Sequence, residues 1–198
     1  MLVWLWRDPP EGIFPCGLVH STGVPRKAAV AMARIADVLG GMELVENPPD
    51  VAVLLREGPR MVKEGRREYI ERSKELDGAL LHWGANWSKI TESAIGSCRV
   101  KLVLDQDSLP TGDRAAFREE VGRRLRAAGC AMARREGDPD VLRVFRVPGK
   151  GAVAWLFWND GGAAVEVERA GRCATVRPGR TVYMRVSDAG AVESCEEL

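Results

Sequence analysis

The sequence predicts an α/β fold followed by an antiparallel β-domain, and three observations carry that expectation. Short, wholly apolar runs alternate with amphipathic helical stretches through the first two thirds of the chain, as expected of strands buried on both faces and joined by helices. From Val141 onward, short strand candidates follow one another between Pro148-Gly149, Asn159-Asp160-Gly161-Gly162, Ala170-Gly171 and Pro178-Gly179, the spacing of an antiparallel meander or small sandwich. There Glu166 and Glu168 alternate with Val165 and Val167, so one face of that sheet is expected to be solvated.

Taken in order, residues 2–6 read as a buried strand running into a Gly- and Pro-rich loop over residues 11–25. A helix over residues 26–39 follows, with Ala28, Met32, Ile35 and Leu39 on one face and Gly40-Gly41 as its stop. Residues 46–49 form a linker, residues 51–55 a second buried strand, and residues 66–76 a surface helix with Glu68 four positions before Arg72. Residues 79–81 read as a short strand opening into the segment from His82 to Trp87, and residues 100–104 as a further strand. The helix over residues 114–128 puts Phe117, Val121, Leu125 and Ala128 on one face, takes Thr111 or Asp113 as its cap and ends at Gly129. Strands are expected over residues 141–147, 152–158, 163–169, 173–176 and 181–186. The boundaries divide the chain into residues 1–46, 47–138 and 139–198.

Composition narrows the function classes. The 198 residues are too few for a complete eight-stranded α/β barrel, which needs about 250. Lys and Arg number 29 against 28 Asp and Glu, so no general attraction to nucleic acid or an anionic membrane is expected. No stretch has the length and apolarity of a membrane span. The five cysteines include no C-x-x-C pair, which disfavours a zinc ribbon or dithiol redox motif, and their odd number suggests reduced thiols in the cytoplasm.

Familiar catalytic signatures are missing too. Neither G-x-x-x-x-G-K-[ST] nor a G-x-G-x-x-G after a strand occurs, and Ser97 in Ile95-Gly96-Ser97-Cys98 does not form a nucleophile elbow. His20 and His82 are the only histidines and neither has a metal-ligand partner at helical spacing, so neither metal nor cofactor is expected. Cys98 and Cys130 are candidate thiols, although small buried hydrophobes are the commoner occupants of such edges. The six tryptophans fall in three pairs: Trp4 and Trp6, Trp83 and Trp87, Trp155 and Trp158. The first pair shares a strand face, where indoles can stack on sugars. For the last pair, core packing is the commoner role.

Val3-Trp4-Leu5-Trp6-Arg7, the loop through Gly17-Leu18-Val19-His20 and the helix after Pro25-Arg26 together resemble the eighth strand, loop and helix of the barrel in glycoside hydrolases of the family 42 β-galactosidase type. The resemblance implies that a flavodoxin-like or amidotransferase-like three-layer domain and then a small antiparallel, β-sandwich-like domain follow, the order expected above. It implies Trp4 and Trp6 as a sugar platform, with Arg7 and His20 near the pocket mouth. The family's two catalytic glutamates lie on the fourth and seventh barrel strands, the first preceded by Asn; this sequence begins at the counterpart of strand eight and contains no Asn-Glu dipeptide. No catalytic residue carries over. Cys98 precedes a strand, so the glutaminase chemistry of amidotransferases is not expected either.

Three readings follow. The chain is a non-catalytic portion of such a hydrolase, assembling with a barrel-bearing catalytic subunit or with itself; or it is a stand-alone module binding carbohydrate or protein; or it is an independent enzyme using the segment from His82 to Trp87 with Asp105 and Asp107 after a strand.

Overall fold

The structure, a computed structural model, describes residues 27–55, 66–110 and 112–198. Helix α1, Lys27–Gly40, belongs to a unit separate from Leu44–Glu197. It spans the stretch expected from the spacing of Met32, Ile35 and Leu39, all half-buried, while Val30 on another face is exposed.

Within Leu44–Glu197 the first layer is a parallel sheet of β1 (Val51–Leu55), β2 (Trp87–Thr91) and β3 (Leu102–Leu104) in the order β2-β1-β3. The central strand, Val51-Ala52-Val53-Leu54, is buried on both faces, which its unbroken apolar run anticipates. Helices α2 (Arg66–Trp83) and α3 (Arg114–Ala127) pack on a common core with Val51, Val53 and Leu104. The two long helices therefore share one face of the sheet, and β2 connects to β3 through the 3-10 segment Glu92–Ser97.

Residues 79–81, expected as a strand, instead lie in the C-terminal part of α2. Leu76, Ala79, Leu80 and Trp83 are all buried, and their i, i+3, i+4, i+7 spacing is one helical face. The short apolar run, taken alone, fits a strand or a buried helix equally. The third parallel strand is β2, which begins at Trp87.

Both helices end in the same way. Gly84 N–H donates to Leu81 O at 3.1 Å and Ala85 N–H to Leu80 O at 3.0 Å; Gly129 N–H donates to Arg126 O and Cys130 N–H to Leu125 O, each at 3.0 Å. With Gly84 at φ +61° and Gly129 at φ +65°, these are Schellman exits, in which a left-handed residue lets the last carbonyls be satisfied. At the start of α3, Asp113 accepts from Ala115 N–H at 3.0 Å, the cap that its sequence position suggests.

The second layer is antiparallel. β4 (Leu142–Gly149), β5 (Ala152–Asn159), β8 (Thr181–Ser187) and β9 (Val192–Glu197) form one sheet in the order β4-β5-β8-β9, and β6 (Val165–Arg169) pairs with β7 (Arg172–Val176) as a hairpin. Leu142, Val144, Phe157, Val182 and Met184 of the sheet share a core with Val167 and Val176 of the hairpin. Asn159, fully buried, stitches the two: its amide donates to Ala163 O and Val176 O, each at 2.8 Å, and its side-chain oxygen accepts from Gly161 N–H at 2.8 Å. Both amide protons are donated and the oxygen accepts one bond, so no donor is left unmet on burial.

Two buried arginines hold the segment between the layers. Arg134 donates to the carbonyls of Asp138, Pro139 and Leu142 and to Asp140 Oδ1. Arg169 donates to Asp138 Oδ2 at 2.9 Å and to Ala133 O at 3.3 Å, with its guanidinium 5.1 Å from the Trp155 ring centroid and 4.9 Å from that of Phe157. A cation so desolvated is tolerable because it is paired, hydrogen-bonded and faced by aromatic rings.

Candidate functional site

The two Schellman exits bring residues 84–87 and 130–134 side by side. Ala85 bridges Met132 in antiparallel fashion, Ala133 N–H donates to Gly84 O at 3.1 Å, and Arg134 N–H to Trp83 O at 3.2 Å. Together with β4 and residues 47–50 they enclose a cleft of about 250 Å³ at the amino ends of β1 and β2. Trp87 and Phe145, both half-buried, supply aromatic surface from two different elements, and Met132 adds a flexible apolar wall. Aromatic and apolar surface with a few fixed polar groups is the usual make-up of a small-molecule site.

Those polar groups are held in place. Asn86 donates through its amide to Asn47 O at 2.6 Å and Pro48 O at 3.1 Å, leaving its side-chain carbonyl as an acceptor. Asp50 accepts from Ala131 N–H at 2.7 Å and sits 3.0 Å from Lys101 Nζ. Burial opposes ionisation of Asp50, but the Ala131 amide and the Lys101 ammonium outweigh it and hold its carboxyl below the usual carboxylate range. Asp50 is therefore ionised, with both oxygens engaged. Arg146 lines the cleft with an exposed guanidinium.

Gly84 fixes the back of the cleft. A Cβ there would lie 2.5 Å from Val144 O and 2.6 Å from Ala133 Cβ, so α2 and β4 approach each other only because this position is glycine.

Of the residues singled out in the sequence, Trp4, Trp6, Arg7 and His20 lie outside the described residues. His82 and Trp83 are core: His82 is 4% exposed and meets the Trp83 ring edge-on at 5.2 Å, and Trp83 Nε1 donates to Arg118 O at 2.8 Å. Burial, then the charges of Arg134 and Arg118, lower the His82 pKa from 6.5 to about 4 despite Asp140 at 3.9 Å. Trp83 and Trp87 both pack on the α/β core, Trp83 buried against Gly122 and Trp87 at its margin, where it also lines the cleft. Trp155 packs against the β core as its strand position suggests, whereas Trp158 on the opposite face is 40% exposed.

Asp105 and Asp107 do not form an acid/base pair on this geometry: Asp105 accepts from Asp107 N–H at 3.0 Å and caps a single 3-10 turn, Gln106–Ser108. Arg72 and Arg124 bind the carbonyls of that turn and fix it against α2 and α3. Cys130 is buried with its pKa pushed up, first by that burial and then by Asp50, so it is an inert thiol. Among the described residues, no group of three or more His, Cys, Asp or Glu side chains is placed to hold a metal ion, and no helix is long and apolar enough to cross a membrane.

Sequence reasoning missed Asn86, Asp50, Phe145 and Met132 as neighbours because they come from four separate segments. Their one local signal is the pair of glycines, Gly84 and Gly129, that ends each helix. A scan against protein-family models gave no match for this chain, and a search of curated proteins gave none either.

Proposed function

We propose that the chain is a non-catalytic, carbohydrate-binding portion of a glycoside hydrolase of the family 42 β-galactosidase type, and that the cleft between Trp87 and β4 takes a single sugar ring. The observation that carries this reading is the make-up of the cleft. Two aromatic side chains line it, and such surface suits the apolar side of a sugar; Asn86 and Arg146 offer an acceptor and donors for hydroxyls.

The lack of a second carboxylate supports a binding role over a catalytic one. Glycoside hydrolysis needs two carboxyl groups across the scissile bond, about 5 to 9.5 Å apart depending on stereochemistry. Asp50 is the only carboxylate among the described residues lining this cleft, and its oxygens already serve Ala131 and Lys101. In this reading the acid and nucleophile belong to a barrel-bearing partner subunit, and this chain contributes sugar contacts and assembly.

The order β2-β1-β3 is the opening order of a flavodoxin-like sheet, and the packing of the β6-β7 hairpin over the four-stranded sheet is sandwich-like. An α/β layer followed by an antiparallel β layer is the succession that the resemblance implies.

The test is co-purification from the native source. The chain is expected to elute with a barrel-bearing protein and to be inactive alone on aryl galactosides; a lone monomer, with no activity after addition of the neighbouring gene product, refutes the assembly. A second reading, a stand-alone carbohydrate-binding module, is favoured by one observation: every residue lining the cleft lies within Leu44–Glu197. Sugar binding that survives deletion of residues 1–43, in a chain that elutes without a hydrolase partner, selects it.

A further inference from the structure

A second concavity, of about 330 Å³, lies between α2 and α3 beside β4, and it differs in character from the cleft. The α2 wall carries Glu71 and Glu75 with Lys74, which pairs with Glu71 at 2.9 Å; the other is basic, with Arg114 and Arg118 from α3 and Arg143 from β4. Phe117, largely buried, forms part of the floor. Counted together, the lining side chains include four cations and two carboxylates.

Two details single this groove out. Arg118 is half-buried, and among the described residues no carboxylate lies within ion-pairing distance of it, whereas Arg114 and Arg143 have partners in Glu75 and Asp160. Gly78 sits in the interior of α2, on the groove, with nothing within 4 Å of where a Cβ would be. A helix-interior glycine costs about 0.5–1 kcal/mol relative to alanine. Packing does not require this one, in contrast to Gly84 and Gly122, and its effect is to open the groove floor down to the helix backbone.

We propose that this groove binds an anionic monosaccharide, its acidic group on Arg118 and Arg143 and its hydroxyls directed at the Glu75 side, with the ring lying over Gly78. Guanidinium forks match the planar geometry of a carboxylate and the oxygens of a phosphate. Carboxylates accept from sugar hydroxyls. The open helix surface at Gly78 leaves room for the flatter, less polar face of a sugar ring. The shared chemistry is a polyhydroxylated ring bearing one anion, from either a hexuronate or a hexose phosphate. The proposal stands on the groove alone and does not depend on the cleft reading.

The full chain is titrated calorimetrically with galacturonate, glucose 6-phosphate and neutral galactose at low and at moderate salt. Saturable binding of at least one anionic sugar, weakened by salt, is expected; the uronate alone or the phosphate alone then identifies the acidic group. Arg118→Gln is expected to weaken that binding tenfold or more. Gly78→Ala is the sharper variant, because it is expected to raise the melting temperature while abolishing the binding, which a folding defect cannot mimic. The Trp87→Ala variant, altered in the cleft and at the adjoining core margin but not in the groove, is expected to retain anionic-sugar affinity as long as it stays folded, so that failure of one site is separable from failure of the other. No binding of either anionic sugar by the wild-type chain overturns the proposal, as does unchanged affinity in Gly78→Ala or Arg118→Gln.

Discussion

Protonation of His82 gives the stability of this protein a pH dependence whose size follows from the structure. The imidazole is buried between Trp83 and the cations Arg134, Arg118 and Arg143, with its Nδ1 unpartnered, and its pKa falls from 6.5 to about 4. In the unfolded chain the ring takes a proton as pH falls through about 6.5; in the folded chain it resists until about 4. Between those values the unfolded state binds more protons, so stability is fully present above the upper value and is lost as pH drops towards the lower. Integrating between pH 7 and pH 5 with these two values gives a loss of about 2 kcal/mol. Ordinary carboxylates titrate below that window. Urea unfolding of the wild-type chain and of His82→Gln, at both pH values, isolates the contribution: the wild type is expected to lose about 2 kcal/mol more than the variant. Whatever the variant does to stability at neutral pH cancels in that difference. Equal pH dependence in the two proteins refutes the argument that His82 is held neutral by its surroundings.

Three further outcomes follow from single positions. Gly84→Ala combines a left-handed backbone with a clash against Val144 O, and is expected to cost more than about 2 kcal/mol in urea unfolding and to disturb the cleft. Ala170 at φ 52° precedes Gly171 at φ 74° in the two-residue turn between β6 and β7, a geometry that favours Asn-Gly, so Ala170→Asn is expected to stabilise by about 1 kcal/mol in the same assay. Among the described cysteines, the exposed Cys173 is expected to react first with a thiol-specific disulfide reagent and the buried Cys130 last; mass mapping of partly labelled protein reads the order.

The parts of the fold that could be read from sequence are those where one physical rule acts alone. The run Val51-Ala52-Val53-Leu54 is apolar at every position and lies buried on both faces. Phe117, Val121 and Leu125 repeat at helical spacing, and Asp113 caps the helix they belong to. The alternation of Glu166 and Glu168 with Val165 and Val167 marks a one-sided strand, and Val167 is buried while both glutamates are exposed.

Reading failed where two rules compete over a short stretch. Ala79, Leu80 and Leu81 are too few to distinguish a strand from a buried helical turn, and only the positions of Leu76 and Trp83 on either side decide it. Strand β9, Val192–Glu197, carries three glutamates in six residues, and it is held as an edge strand by pairing with β8; its composition alone argues against a strand. The cleft was harder still. Asn86 and Asp50 act through bonds to backbone groups far along the chain, Asn47 O and Ala131 N–H among them, and no local pattern encodes such closures. What the sequence did offer was Trp87, whose role differs from that of Trp83 although the two are four residues apart.

A cleft of this make-up is expected to hold a sugar without transforming it. Calorimetric titration of galactose into the full chain and into Trp87→Ala tests this most directly. Saturable binding at one cleft per chain, lost in a variant that still unfolds cooperatively although at a lower melting temperature, and with no hydrolysis of an aryl galactoside by the chain alone, is the result predicted. No binding by the wild-type chain, equal binding by the variant, or turnover of the aryl galactoside would contradict it.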